Sequence, residues 1–483
     1  MLFSTQAAPY AAATCQHGQL KPGAQMITRL GRNAGKLPTA VAGPSDSAAV
    51  ARKIRRHLLP FLFVLYVIAY LDRINVGFAA LTMNHELGLS SQQYGLLSGI
   101  FFWGYFLFEV PSNLLLERLG ARVWIARILV SWGIVSLATA FAHSAAQLYA
   151  ARFLLGVAEA GFFPGILMYL TYWFRQREMA QAIGIFMTAL PAASIVGGPL
   201  SGWILDHVHA FGLGSWRWVL ILEALPAIVG GLVCYRVLPN GPNEARFLSA
   251  AEKRSLIAAL RGAAESKRRP GGSPVLRTLV DPRMLYLAAI AFMFMIGVYI
   301  TSFWMPQTIK AIGGRLDHLS IGVLVMVPNL IGLGAMMLVS RSASRRGEPH
   351  WHAALSLLTA AAAFALLGSA STLPACILLW SVATSGLYGF IGPFWSLPSQ
   401  LLSGRAAATA LAAICSIGNL AGFAGLTAFG ALAGHSGGPA LGFRLVAVAL
   451  SIGALLLVAQ RLRDSAWIAV ESLNHCRTTG SLS

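Results

Sequence analysis

The chain alternates between long apolar stretches and short polar breaks. A helix needs about 20 mostly apolar residues to cross a bilayer. Twelve stretches meet that need: 58–80, 94–116, 124–142, 147–170, 180–204 and 216–237, then 284–305, 319–340, 352–370, 374–396, 406–430 and 441–462. Each predicts a membrane-spanning helix. The one long hydrophilic break inside the series, 238–283, divides it into six plus six. It opens on Leu238–Pro242 (LPNGP), continues through a charged stretch of helical character, and turns basic at Lys267, Arg268 and Arg269. The expected organisation is a disordered basic tail over 1–57, a six-helix bundle over 58–237, a linker over 238–283, a second six-helix bundle over 284–463 and a tail over 464–483.

The two bundles carry a faint repeat. Arg118-x-Gly120-x-x-x-Trp124 after the second span recurs as Arg345-x-Gly347-x-x-x-Trp351 after the eighth. Internal repeats of this kind mark transporters. The fold class expected is therefore an all-α membrane protein, two pseudo-symmetric six-helix bundles around a central site.

Composition agrees. Hydrophobic residues make up 56% of the 483 and charged residues only 11%, where a soluble protein carries about 25% charged. The formal net charge of +19 then needs an explanation. With the N-terminus in the cytoplasm, most Lys and Arg fall in cytoplasmic loops and tails, and only Lys310 and Arg315 lie clearly outside. The excess is a topology signal rather than a nucleic-acid footprint. The expected location is a bacterial cytoplasmic membrane, with both termini inside. The five cysteines show neither CxxC nor metal spacing, so no disulfide framework, metal or cofactor is expected. Residues 1–57 lack the compact apolar core of a signal peptide.

A charge at mid-bilayer costs roughly 2.5–3.5 kcal/mol, so those that persist are functional candidates. They are Asp72 and Arg73 in span one, Glu109 in span two, Arg127 in span three, Arg152 and Glu159 in span four, and Glu223 in span six. The last six spans hold no acidic residue; at the repeat offset, Asp72, Arg73 and Glu159 map onto Tyr299, Ile300 and Gly386. At 1.5 Å per residue, Asp72 and Arg152 sit at similar depth, which predicts an ion pair between spans one and four. Glu159 falls near the midplane, where desolvation penalises its charged form and suits it to taking up and releasing a proton. The plain alternative is a static network of all four groups. If Glu159 carries a proton, one guanidinium is left for an anion, and Arg is well shaped for a carboxylate. Glu109, near Arg118 and Arg122, is read as structural. Arg127 is close enough to a helix end to snorkel, and Glu223 has no evident partner.

Several motifs now resemble one family. Tyr70–Phe78 (YLDRINVGF) resembles the first-span signature of the anion:cation symporters within the major facilitator superfamily, and Gly104–Asn113 (GYFLFEVPSN) is similar to their second span. Glu117–Arg122 (ERLGAR) resembles the superfamily's loop between spans two and three, and Arg152–Pro164 (RFLLGVAEAGFFP) its fourth span in this family. Gly392–Pro398 (GPFWSLP), Ser416–Asn419 (SIGN) and Leu238–Arg246 (LPNGPNEAR) resemble spans ten and eleven and the start of the linker. The likeness covers about 58–463. It implies proton-coupled uptake of small organic anions such as sugar acids, tartrate, phthalate or hydroxyphenylacetate, by a monomer. It also implies roles: Arg73 contacts the substrate carboxylate, Asp72 and Glu159 are the coupling acids, and Arg152 partners Asp72. Tyr70, Tyr105 and Asn419 line the site, with Trp395 and Ser396 as further candidates. The loop after span eight departs from the pattern. It reads Ala343–Trp351 (ASRRGEPHW), with Ser344 where the family has an acid and Pro349-His350 in place of an Arg pair.

Other patterns carry less. Gly434–Gly438 (GHSGG) satisfies the spacing of a hydrolase nucleophile elbow, but sits in a loop without the strand and helix that motif needs. Gly198-x-x-x-Gly202 and Gly418-x-x-x-Gly422 read as close helix packing. The reading is a transporter and not an enzyme, using alternating access to carry an organic anion with a proton. An exchanger or uniporter of the same fold is the main alternative.

Overall fold

The computed structural model describes residues 44–265, 282–401, 405–435 and 438–479. The tail expected over 1–43 and part of the linker lie outside that range. Among the described residues, twelve helices are long and apolar enough to cross a membrane, six before the linker and six after it. Among the described residues there is no strand. The first six spans are Pro44–Glu86, Ser91–Leu119, Ala121–Thr139, a broken fourth (Ala145–Glu159 and Phe162–Thr171), a broken fifth (Gln176–Met187 and Ala189–His207) and Ser215–Val237. The second six are Pro282–Gly313, His318–Arg346, Pro349–Leu367, Leu373–Leu401, Arg405–Ala433 and Gly438–Thr479.

Two boundaries differ from expectation: the last helix runs on to Thr479, through residues expected as a tail, and the first begins early. Residues 44–57, read as part of a disordered tail, continue the first helix. Their packing explains it: Ile54 and Leu58 are buried, His57 stacks on Phe247 of the linker at 4.7 Å, and Lys53 pairs with Glu252 at 3.0 Å. The linker adds a 16-residue helix, Ala250–Glu265.

Turn chemistry sets the remaining ends. Ser90 caps span two in a capping box with Gln93, and Ser144 caps span four. Gly120 turns the chain between spans two and three at φ +85°, in the left-handed region only glycine enters freely. Beside it, Arg122 donates from its backbone N–H to Asn240, from Nε to the Leu238 carbonyl, and pairs with Glu244. The Arg-Gly-Arg loop is thereby tied to the start of the linker. Its second copy is held differently. Glu348 pairs with Arg461 of span twelve at 3.0 Å, and Ser342 and His352 share a hydrogen bond.

The surface facing away from the bundle axis is apolar, with Leu107, Val110, Leu114, Val229, Leu338 and Leu455 exposed. In water such a belt would be a liability; in a bilayer it is solvated. The charges are inverted relative to a soluble protein: Asp72, Glu109, Arg152, Glu159 and Glu223 are all buried.

The linker end of the molecule is termed the linker face and the opposite end the far face. The halves meet closely toward the far face. A Cβ on Gly95 would fall 2.6 Å from the Leu426 carbonyl and 2.8 Å from the Gly430 Cα, and one on Gly198 would fall 2.6 Å from the Gly322 carbonyl. Gly77 lies equally tight against Ser302, and Tyr94 donates to the Phe303 carbonyl at 3.0 Å. The Gly198-x-x-x-Gly202 pattern thus packs helices across the two halves. Asp206 at the end of span five bonds His318 Nδ1 at 2.6 Å and accepts from the backbone N–H of His318 and Leu319, at the start of span eight. Asp206 thus ties the two halves together at the far face.

Candidate functional site

Two glycines build the site. A Cβ on Gly156 would strike the carbonyl of Phe101, and one on Gly104 the carbonyl of Phe153. Spans two and four can therefore pack backbone to backbone. That contact brings Arg152 against the Phe101 ring. The Arg152 guanidinium stands 5.1 Å from the Phe101 centroid, and the Arg73 guanidinium 5.4 Å from both Phe101 and Tyr105. Cation–ring contacts of this kind gain strength when desolvated.

Span four breaks immediately after Glu159. Ala160 leaves the helix, and Gly161 takes φ +84°, in a space where Ser112 leaves no room for a Cβ. Glu159 is thus the last residue of its helix, where unpaired carbonyls leave partial negative charge. A carboxylate there needs a cation, and Arg73 of span one supplies it. One nitrogen of Arg73 is paired with Glu159 Oε1, while Oε2 of Glu159 and Nε of Arg73 are buried without hydrogen-bond partners. The Arg73 side chain is 11% exposed, so this pair borders open space.

Asp72 is turned the other way, into span three. It accepts from Ser136 Oγ at 2.5 Å, Trp132 Nε1 at 3.0 Å and Asn75 Nδ2 at 3.3 Å. The ion pair expected between Asp72 and Arg152 is not formed: the two face each other electrostatically, but no N–O contact falls within 4 Å. Two of the three Asp72 donors, Trp132 and Ser136, come from span three, and Arg152 keeps two buried nitrogens without partners.

The second half contributes neutral groups. Tyr299 of span seven donates to Asn419 Oδ1 at 2.7 Å and lies 4.3 Å from the Phe102 ring. Tyr70 is buried next to Tyr66, which stacks between Phe163 and Phe186. Trp395 meets Phe394 edge-on at 5.4 Å, and Ser396 donates to the Pro393 carbonyl. A cleft enclosing about 400 Å³, its open mouth included, runs between the halves. Ile74, Ser194, Thr301, Ser302, Asn329 and Tyr388 line it, and Tyr388 donates to Asn329 at 2.6 Å.

Three buried residues were missed or misread in the sequence. Tyr299 is the repeat mate of Asp72, so the repeat pointed to it. Glu109 was read as structural because Arg118 and Arg122 are close in sequence. It instead faces Ser416 and Asn419 of span eleven, with neither carboxylate oxygen hydrogen-bonded. Glu223 has a partner after all, Ser201 at 2.7 Å. Among the described residues no group of His, Cys, Asp and Glu could hold a metal ion.

This geometry now meets the comparisons with known proteins. Residues 62–426 match the family model of the Major Facilitator Superfamily. A putative tartrate transporter of Agrobacterium vitis is 42% identical over 84% of this chain and 93% of its own. The putative metabolite transport protein NicT of Pseudomonas putida is 39% identical over 85% of this chain and 94% of its own. A crystal structure of a D-xylose–proton symporter superposes with a TM-score of 0.67 at 14% identity, covering 83% of this chain and 96% of that one, which speaks for the fold. Twelve spans in two halves, a charged cluster between them and relatives that are transporters lead to one conclusion: this chain belongs to the Major Facilitator Superfamily and is a membrane transporter, not an enzyme.

Proposed function

We propose that this transporter takes up a small organic anion bearing a carboxylate, together with a proton, across the bacterial cytoplasmic membrane. The observation that carries this reading is the buried Arg73–Glu159 pair, one guanidinium held by one carboxylate. A substrate carboxylate and Glu159 compete for one guanidinium. Protonating Glu159 removes its charge and releases Arg73, and an incoming carboxylate then restores neutrality. Anion and proton are therefore bound together for electrostatic reasons. Isolating a charge in a low-dielectric site is expensive, which opposes binding either alone.

In this reading Tyr70, Tyr105 and Asn419 hold the rest of the substrate, Trp395 and Ser396 border it, and Asp72 and Arg152 complete the coupling network. The linker face is cytoplasmic, as the Lys and Arg excess supports, and the far face is external. One chain supplies both halves of the site, so a monomer suffices. A tartrate-like acid is the first substrate to try, because of the relative so named.

The test is uptake into proteoliposomes with a pH dye inside. Wild-type protein should acidify the lumen as tartrate or a related acid enters down its gradient, and Arg73→Ala should abolish both uptake and binding. Substrate entry without a pH change would favour an exchanger or uniporter. Normal affinity in Arg73→Ala would remove Arg73 from the substrate site.

A further inference from the structure

A second buried polar chain runs inside the N-terminal half, apart from the Arg73–Glu159 pair. It begins at Ser201 of span five, which donates to Glu223 Oε1 of span six at 2.7 Å. The other oxygen, Oε2, is buried with no partner. The Asn75 amide of span one faces this carboxyl. Asn75 is fully buried, its Nδ2 donates to Asp72 at 3.3 Å, and its Oδ1 is also without a partner. Two orphaned acceptors therefore occupy the same region between two carboxyl groups. Leaving buried acceptors unmatched is unfavourable, because each has given up its water without gaining a donor. No basic side chain pairs with Glu223 among the described residues, and its charged neighbour is Asp72. Arg152 faces Asp72, while span three turns Trp132 and Ser136 to Asp72 as well.

One proton settles the arrangement. Placed on Glu223 Oε2, it makes that oxygen a donor to Asn75 Oδ1, and the chain Ser201–Glu223–Asn75–Asp72 is satisfied throughout, with Asp72 ionised. Turning the amide by half a revolution gives the mirror arrangement. Nδ2 then donates to an ionised Glu223, and Oδ1 accepts from a protonated Asp72. An amide bridging two carboxyls is satisfied in either orientation by one proton on the pair. We propose that Glu223 is a further proton-binding residue, and that Asp72 and Glu223 share a single proton whose position is set by the orientation of Asn75. In the present arrangement it resides on Glu223, because Asp72 has the donors of span three and the cation Arg152. When the proton changes residence, Glu223 releases one to water and Asp72 takes one from water, so the count is conserved. The role of this proton in transport rests on the coupling proposed above; its presence does not.

Infrared spectroscopy of the full chain in liposomes, with no substrate added, reads this directly. At neutral pH, wild-type protein carrying ¹³C-labelled glutamate should show a protonated-carboxyl C=O band displaced by the label, and Glu223→Gln should lose that part of it. A glutamate band of undiminished intensity in Glu223→Gln would show Glu223 ionised and overturn the proposal. Should that variant fail to fold, Ser201→Ala keeps the carboxyl but removes its donor. It should shift the frequency of the same band, and an unmoved band overturns the proposal equally. Sharing is tested by Arg152→Gln, which withdraws the cation facing Asp72. Glutamate intensity should fall while an unlabelled aspartic acid band rises; both unchanged would show that no proton is shared. None of these outcomes depends on tartrate or any other anion being carried, so failure of the uptake assay and failure of this inference are separate results.

Discussion

Glu159 owes its chemistry to one residue of position: it ends its helix, and Arg73 is the cation that answers it. Replacing a buried ion-pair partner leaves the other uncompensated, at a cost of about 3–5 kcal/mol. Glu159→Gln should therefore lower thermal stability, and an added carboxylate substrate should raise it by more than in wild type, because the anion now fills the vacated place. A thermal-shift titration of both proteins checks this; equal shifts would show that Arg73 is not the anion's partner. Uphill, proton-driven uptake should be lost in the same variant while counterflow survives. All four central charges could be found in the sequence because a charge inside an apolar stretch stands out against its surroundings. Their partners could not. Asp72 and Arg152 share a depth, but rotation of each helix about its axis decides which groups touch, and that rotation is set by packing in three dimensions. The uncharged members, Tyr299 and Asn329, have no such contrast with their neighbours.

The elements were legible where hydrophobicity alone defines them. All twelve spans were found, while the breaks in spans four and five and the helical residues 44–57 were not. Those depend on contacts: Gly161 against Ser112, and His57 against Phe247. The Gly156–Phe101 contact is the most demanding of these. Gly156→Val forces a branched side chain into a backbone carbonyl, where overpacking costs about 1–3 kcal/mol or more. The melting temperature in detergent should drop by several degrees and transport should be lost, whereas Val157→Ala on the next position should be tolerated. At the linker, the backbone N–H and side-chain amide of Asn240, with Arg122 as a lesser contributor, hold the Glu244 carboxyl below the usual carboxylate range. A carboxyl held low contributes stability above its unfolded value near 4.3 and loses it only as pH falls through the lower folded value. The protection of the 238–246 amides against hydrogen exchange, relative to the intrinsic rate at each pH, should thus hold through mildly acid pH and decline below it. In Glu244→Gln exchange should be modestly faster at neutral pH, because an exposed pair is worth about 1 kcal/mol or less.

For the whole molecule, closure at the far face is the defining feature, and Asp206 is its polar component. It accepts two backbone N–H groups and bonds His318 from the opposite half. Each hydrogen bond to a charged group is worth about 1.5–3 kcal/mol, and every 1.4 kcal/mol shifts a population tenfold. Asp206→Ala should therefore open the far face at least several-fold more often. A cysteine placed by Thr301→Cys, in a background without the native cysteines, should then react faster with an impermeant thiol reagent from outside; an unchanged rate would show that the latch carries no weight. The remainder of the closing surface is glycine against backbone, at Gly95 with Gly430 and at Gly198 with Gly322. Side chains that must be immobilised on contact lose up to about 2 kcal/mol of rotamer freedom each. Glycines have none to lose. The seam can close and reopen in every cycle with almost no conformational entropy at stake. Its rate is then governed by a few polar contacts and the desolvation of main-chain groups, and warming should change the balance between open and closed states far less than a seam of long side chains would.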